Sequence, residues 1–186
     1  GDPDAEASRS EVGVVFEDAY FYGGLSARQI SRIMSGIHRN WDSGLFFDYC
    51  RRFELEEKKP VKDFSRGMRM KMSLATALSH HPRLLVLDEA TSGLDPVVRG
   101  ELLDLFLEFI QDEAHSILLS SHITGDLEKV ADYITYLHQG QVVLSDSKDA
   151  ILEEYGRVGC TAGDLTQINR EDYVRLRRGT FGNELL

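Results

Sequence analysis

Four apolar residues closed by two adjacent carboxylates, Leu84-Leu85-Val86-Leu87-Asp88-Glu89, constrain this chain more than any other stretch. A run of that length reads as a parallel strand covered on both faces, and two acids cannot belong to its buried body. They fall at its carboxyl end. In open α/β sheets that edge is where ligands bind, so the pair is placed to hold a metal and an attacking water. A strand running into a solvated turn has the same six residues, so the choice rests on what surrounds them.

Size and charge narrow the surroundings. The chain has 186 residues and 42% hydrophobic content, enough for one domain with a sizeable core, or a core with a small appendage. Acids outnumber bases 31 to 21, for a formal charge of −10, which argues against a broad nucleic-acid footprint. Two cysteines, Cys50 and Cys160, do not make a disulfide framework and favour a reducing compartment. No apolar run approaches the roughly 20 residues that span a bilayer, so membrane association is expected only through a partner.

Hydrophobic spacing gives an alternation of strands and helices. Val12, Val14, Val15 and Phe16 form a short β-type run closed by Glu17-Asp18. From Ser26 the period turns helical through Ile30, Ile33, Met34 and Ile37, and a second helix after Asp42 is expected to bury Leu45, Phe46, Tyr49 and Phe53. A third starts after Ser65, with Met68, Met72 and Ala75 on one face, and stops before Pro82. Asp95-Pro96 opens a long amphipathic helix through Leu102, Leu103, Leu105, Phe106 and Phe109. Residues 116–120 read as a second buried strand ending at Ser121-His122. A helix over 125–131, strands over 133–137 and 142–144 about a turn at Gln139-Gly140, and a helix over 148–155 follow. Tyr173, Val174 and Leu176 suggest a strand among arginines, but the tail shows no closing element. The fold class is α/β with a mainly parallel sheet that ends in a hairpin.

Three loops at carboxyl ends of strands therefore present polar groups: Glu17, Asp88 with Glu89, and His122. A phosphate-hydrolysing site needs a carboxylate for Mg²⁺, a second to orient water, and a donor for developing charge. Taken singly, a histidine at a strand end is more often structural and Glu17 more often a solvated turn. Ser65-Arg66-Gly67 at a helix start offers a hydroxyl, an approachable backbone and the positive end of the helix dipole, though an ordinary Ser-capped helix has the same residues.

The order Phe64-Ser65-Arg66-Gly67-Met68, helix, Leu84 to Glu89, Ser92-Gly93-Leu94-Asp95, Ser121-His122 resembles the nucleotide-binding domains of ABC transporters: their signature, Walker B strand, D-loop and switch histidine. Glu17 stands where that family's Q-loop glutamine is expected. The match covers about residues 11–155, and the Ser-Arg-Gly-Met signature with Asn40-Trp41-Asp42 further resembles a bacterial multidrug or bacitracin-type exporter branch. The resemblance implies a P-loop NTPase-like fold divided into a partial core with the Q-loop (1–23), a helical subdomain (24–64), an ATPase core (65–156) and a C-terminal extension (157–186). It implies ATP and Mg²⁺ as cofactors, with Asp88 and Glu17 toward the metal, Glu89 and His122 as catalytic groups, and Ser65, Arg66, Gly67 and Asp95 toward nucleotide bound across a pair of such domains. The implied partners are a second ATP-binding domain, identical or not, and a membrane-spanning subunit that holds the chain at the cytoplasmic face; nucleic acid is not among them.

Several positions depart from the family pattern. Glu17 replaces glutamine, so it can ligate Mg²⁺ but repels phosphate more strongly. Arg66 and Met68 replace glycine and glutamine, and Arg66 either adds a phosphate contact or points to solvent. Ala90 replaces proline. The largest departure is that no G-x-x-x-x-G-K-[ST] loop, and no Gly-Lys dipeptide, occurs in the 186 residues. A domain truncated ahead of residue 1 is the expectation, unable to hydrolyse ATP alone and with unpaired backbone and apolar side chains where the loop's strand would lie. Two alternatives stay open. One is a non-catalytic partner lending its signature in trans. The other is a DNA-maintenance ABC ATPase, disfavoured by the short span between Glu17 and Ser65 and the lack of heptads.

Overall fold

The computed structural model describes residues 10–18, 21–154, 156, 158–161, 163–164, 167–169, 176–179 and 182–185. The chain divides into two compact units, Gly1–Val130 and Ala131–Leu186. The first contains β1 (Val12–Val15), α1 (Ala27–Ile37), α2 (Ser43–Arg52), α3 (Arg66–Leu78), β2 (Leu84–Asp88), α4 (Pro96–Phe109), β3 (Ser116–Ser120) and α5 (Thr124–Val130). The second contains β4 (Tyr133–His138), β5 (Gln141–Ser147), α6 (Lys148–Glu154), β6 (Val158–Cys160), β7 (Leu176–Gly179) and β8 (Gly182–Leu185).

In the first unit the strands form a parallel sheet in the order β1-β2-β3. The acid-tipped run is its central strand, as an α/β fold requires of so apolar a segment. Period 2 sends Val15, Leu85 and Leu87, each at most 1% exposed, to one face, where they share a core with Met72 and Leu74 of α3 and Leu102 and Phe106 of α4. The other face corrects the expectation of cover on both sides. Leu84 and Val86 are only half-buried, and Val14 and Leu118 are 45% and 63% exposed. Residues 116–120, expected as a buried strand, form a sheet edge on which exposed and half-buried positions alternate. An apolar run reports that a strand is buried somewhere, and periodicity alone does not say on how many faces.

The helical segment is fixed by its caps. Gln29 Oε1 accepts from Ser26 N at 2.9 Å ahead of α1, and Asp42 Oδ1 accepts from Leu45 N at 2.9 Å ahead of α2. The buried line of α1 runs through Ala27, Ile30 and Ser31 to half-buried Met34, so Ile33 and Ile37, expected inside, lie on the flank at 46% and 65% exposure. In α2, Phe46 and Cys50 are buried, with Phe53 just beyond, while Leu45 and Tyr49 are half-buried. Burial pushes the Cys50 thiol up to about 12, so it is a packing group, not a nucleophile. The Asn40-Trp41-Asp42 segment ties these helices to the end of α3. Asn40 Nδ2 donates to His80 O, and Asp42 N donates to Ser79 O at 2.8 Å.

In the second unit β4 and β5 form the expected antiparallel hairpin, with Gln139 and Gly140 at φ 48° and 77°. Two successive left-handed residues make the tight turn that matches strand twist, which explains glycine there. The tail corrects the expectation of no closing element: β6, β8 and β7 make a small antiparallel sheet in that order. Of the strand expected around Tyr173, Leu176 opens β7, whereas Tyr173 and Val174 lie outside the described residues, as does Tyr155 at the expected end of α6. Among the described residues no helix is long and apolar enough to cross a membrane.

Candidate functional site

Parallel register sets the centre of the site. Asp88, the last residue of β2, pairs with Ser120, the last of β3, and Ser120 Oγ donates to Asp88 Oδ1 at 2.7 Å. The chain then turns sharply: Glu89 adopts φ 49°, and its N–H donates to Ser120 O at 3.2 Å and to Ser120 Oγ at 3.1 Å. This left-handed step swings the Glu89 side chain toward the loop after β3, where its Oε2 lies 2.7 Å from His122 Nδ1. A carboxylate only accepts, so Nδ1 carries the hydrogen and Nε2 lies on the outer edge of a ring 68% exposed. Three of the residues singled out in the sequence, Asp88, Glu89 and His122, thus meet at one sheet edge with Ser120 as an unforeseen fourth.

The second group lies at the start of α3. Ser65 Oγ accepts from Met68 N at 3.2 Å, capping the helix while leaving its own O–H to donate outward. Gly67 is buried in the first turn, and a side chain there would meet Val98 Cγ1 at 3.2 Å, so the glycine lets α3 lie against α4. Asp95 caps α4, accepting from Val97 N and Val98 N at 3.1 Å each. Arg66 neither points free into solvent nor stands alone: its Nη2 donates to Glu17 Oε1 at 3.0 Å.

Sequence reasoning missed a buried network behind these loops. Asp126 of α5 is fully buried, accepting from Thr91 Oγ1 at 2.6 Å and from Arg99 Nε of α4 at 2.6 Å. It joins the segment after Glu89 to the helix after His122, and so braces both halves of the 2.7 Å contact. The only signal in the sequence was an acid four residues past the histidine and an arginine four past Asp95.

The donor set suits part of a nucleotide–metal complex. Mg²⁺ keeps several waters and takes one or two carboxylates beside phosphate oxygens, and the exposed Asp88 fits that role. Among the described residues no group of three or more His, Cys, Asp or Glu makes an all-protein cage. A cavity of about 370 Å³ beside β1 is lined by Val12, Asp18, Phe21, Met34, His38 and His80 among others, and by none of Glu17, Asp88 and Glu89.

Comparison with known proteins bears on the family and the fold. The family model described as ABC transporter matches residues 2–92. The lantibiotic transport ATP-binding protein SrtF of Streptococcus pyogenes is 40% identical over 93 residues, covering 50% of this chain and 40% of that protein. The bacitracin transport ATP-binding protein BcrA of Bacillus licheniformis is 33% identical over 135 residues, covering 71% and 44%. The chain thus spans less than half the length of these relatives. Among solved structures, an ATP-binding subunit of an ABC transporter superposes with a TM-score of 0.67 at 25% identity, covering 81% of this chain and 64% of that one. The cbiO1 subunit from Clostridium perfringens, at 21% identity, has the same fold with a TM-score of 0.67, covering 83% and 64%.

Proposed function

We propose, for a chain that belongs to the ABC transporter family of ATP-binding domains, that it forms part of an ATP-binding subunit coupling ATP and Mg²⁺ to transport by a membrane-spanning partner at the cytoplasmic face. Relatives named for bacitracin and lantibiotic transport support a place on an exporter branch. The observation that carries the reading is the Glu89–His122 contact of 2.7 Å beside Asp88 at the carboxyl edge of a parallel sheet. Asp88 would hold Mg²⁺, which when bound to ATP neutralises charge on the phosphates. Glu89 accepts the hydrogen of the attacking water and draws its proton, in an orientation set by its bond to His122. His122, whose Nδ1 hydrogen goes to Glu89, orients that carboxylate, and it donates from Nε2 toward developing charge as well only in its imidazolium form. The Ser65 hydroxyl and the Gly67 backbone at the start of α3 serve the nucleotide of a paired domain, with Asp95 keeping α4 capped at that junction.

The 186 residues hold no Gly-Lys-Ser/Thr loop, so their own groups supply the metal and water side of the site and not the phosphate cradle. Phosphate release from Mg-ATP by this chain alone is therefore expected at background. Adding a full-length ATP-binding domain is expected to give ATP-dependent association that Ser65→Arg abolishes. Turnover by the chain alone that disappears in Glu89→Gln would overturn its inactivity. Association indifferent to both ATP and Ser65→Arg would overturn the nucleotide role of the α3 start.

A further inference from the structure

Two of the positions at which this chain departs from its family touch each other. Where the family pattern has an uncharged glutamine and a glycine, this chain has Glu17 and Arg66, which lie 49 residues apart and meet at 3.0 Å. The guanidinium also lies over Gly93, in the Ser92–Asp95 turn. A β-carbon there would fall 2.9 Å from Arg66 Nη1 and 3.0 Å from Cζ, and Gly93 has φ +65°. Glycine thus admits both the left-handed turn and the flat cation against it. Among the described residues neither Glu17 nor Arg66 has another ion pair.

We propose that Glu17 and Arg66 are each other's intended partners, a positioning pair that joins the loop after β1, the first turn of α3 and the turn before α4. It holds Ser65 and Gly67 in register with Asp88 and Glu89. Each charge answers the other, so Glu17 is a counter-ion first and not a free metal ligand, and Arg66 is not a free phosphate ligand. That the elements so held form a nucleotide site rests on the reading above; the pairing does not. The side chains are 51% and 42% exposed, so the pair governs local order rather than global stability.

The test is amide hydrogen exchange of the full chain without nucleotide, read at Met68, Arg69 and Ser92, whose N–H groups bond to Ser65 Oγ, Ser65 O and Glu89 O. Glu17→Gln and Arg66→Gln are each expected to speed exchange about two- to fivefold, and the double variant to be no faster than either single. Arg66→Lys, which keeps the charge, is expected to stay within about twofold of the parent. Additive effects, or no effect of either single change, overturn the pairing. So does a Mn²⁺ titration in which affinity falls about tenfold in Glu17→Gln and rises in Arg66→Gln, since that assigns Glu17 to the metal. Because nucleotide is absent throughout, failure here leaves the ATP reading standing, and failure of the turnover test leaves the pair standing.

Discussion

The unit Gly1–Val130 and the unit Ala131–Leu186 reach order by different means. Among the described residues every buried apolar side chain lies between Val15 and Phe106, in the first unit. In the second, β4 and β5 pair along their length, yet Tyr133, Leu137 and Val142 are 78%, 64% and 61% exposed, and α6 buries no residue. The first is held by a core under one face of its sheet and the second by backbone ladders and a tight turn. A two-stranded hairpin without a core is marginal in water, so the two units should answer side-chain truncation very differently.

Phe106→Ala gives the largest contrast. Phe106 is 1% exposed beneath the sheet, and its removal is expected to cost about 3–5 kcal/mol in urea unfolding. Leu137→Ala, on the exposed hairpin, is expected to stay within about 0.5 kcal/mol. Comparable losses at both positions would break the distinction between a packed unit and a laddered one.

Within the first unit the same contrast recurs between charges. Asp126→Ala leaves Arg99 and Thr91 without their buried acceptor and is expected to cost about 2–4 kcal/mol. Lys129→Ala removes a pair to Asp104 whose side chains are 41% and 69% exposed, and should cost less than about 1 kcal/mol. Equal costs in parallel denaturation curves would mean that Asp126 braces nothing.

What was legible in the sequence follows the reach of each interaction. The helix starts after Asp42 and at Asp95-Pro96, the Gln139-Gly140 turn and the acid-tipped strand are decided within a few residues, and each is where the chain placed it. The meeting of Asp88, Glu89 and His122 needed only the rule that ligand groups gather at carboxyl ends of parallel strands. Illegible were contacts set by packing between distant elements: Thr91 with Asp126 across 35 residues, and Arg66 with Glu17 across 49. The open face holding Val14 and Leu118 was illegible as well, because an apolar residue reads the same whether covered or exposed. Opposite charges at two departures from one family pattern were the sole trace of the Glu17–Arg66 pair.

A smaller effect sharpens the comparison through pH. His80, 3% exposed at the end of α3, stacks on His38 with centroids 4.3 Å apart. Burial pushes both imidazoles below the ordinary value, and in His80 the charge of His38 adds to it. The unfolded chain protonates these rings near 6.5 and the folded chain only lower, so between those values the unfolded state holds more protons. Stability from these groups is complete above 6.5 and declines as pH falls through it toward the folded value. The urea midpoint of the first unit should therefore drop between about pH 7.5 and about pH 5.5, where carboxylates scarcely titrate, and His80→Asn should flatten that drop even though it lowers the midpoint at every pH. An unchanged slope would place the titration elsewhere and deprive the packed unit of the pH dependence that burial gives it.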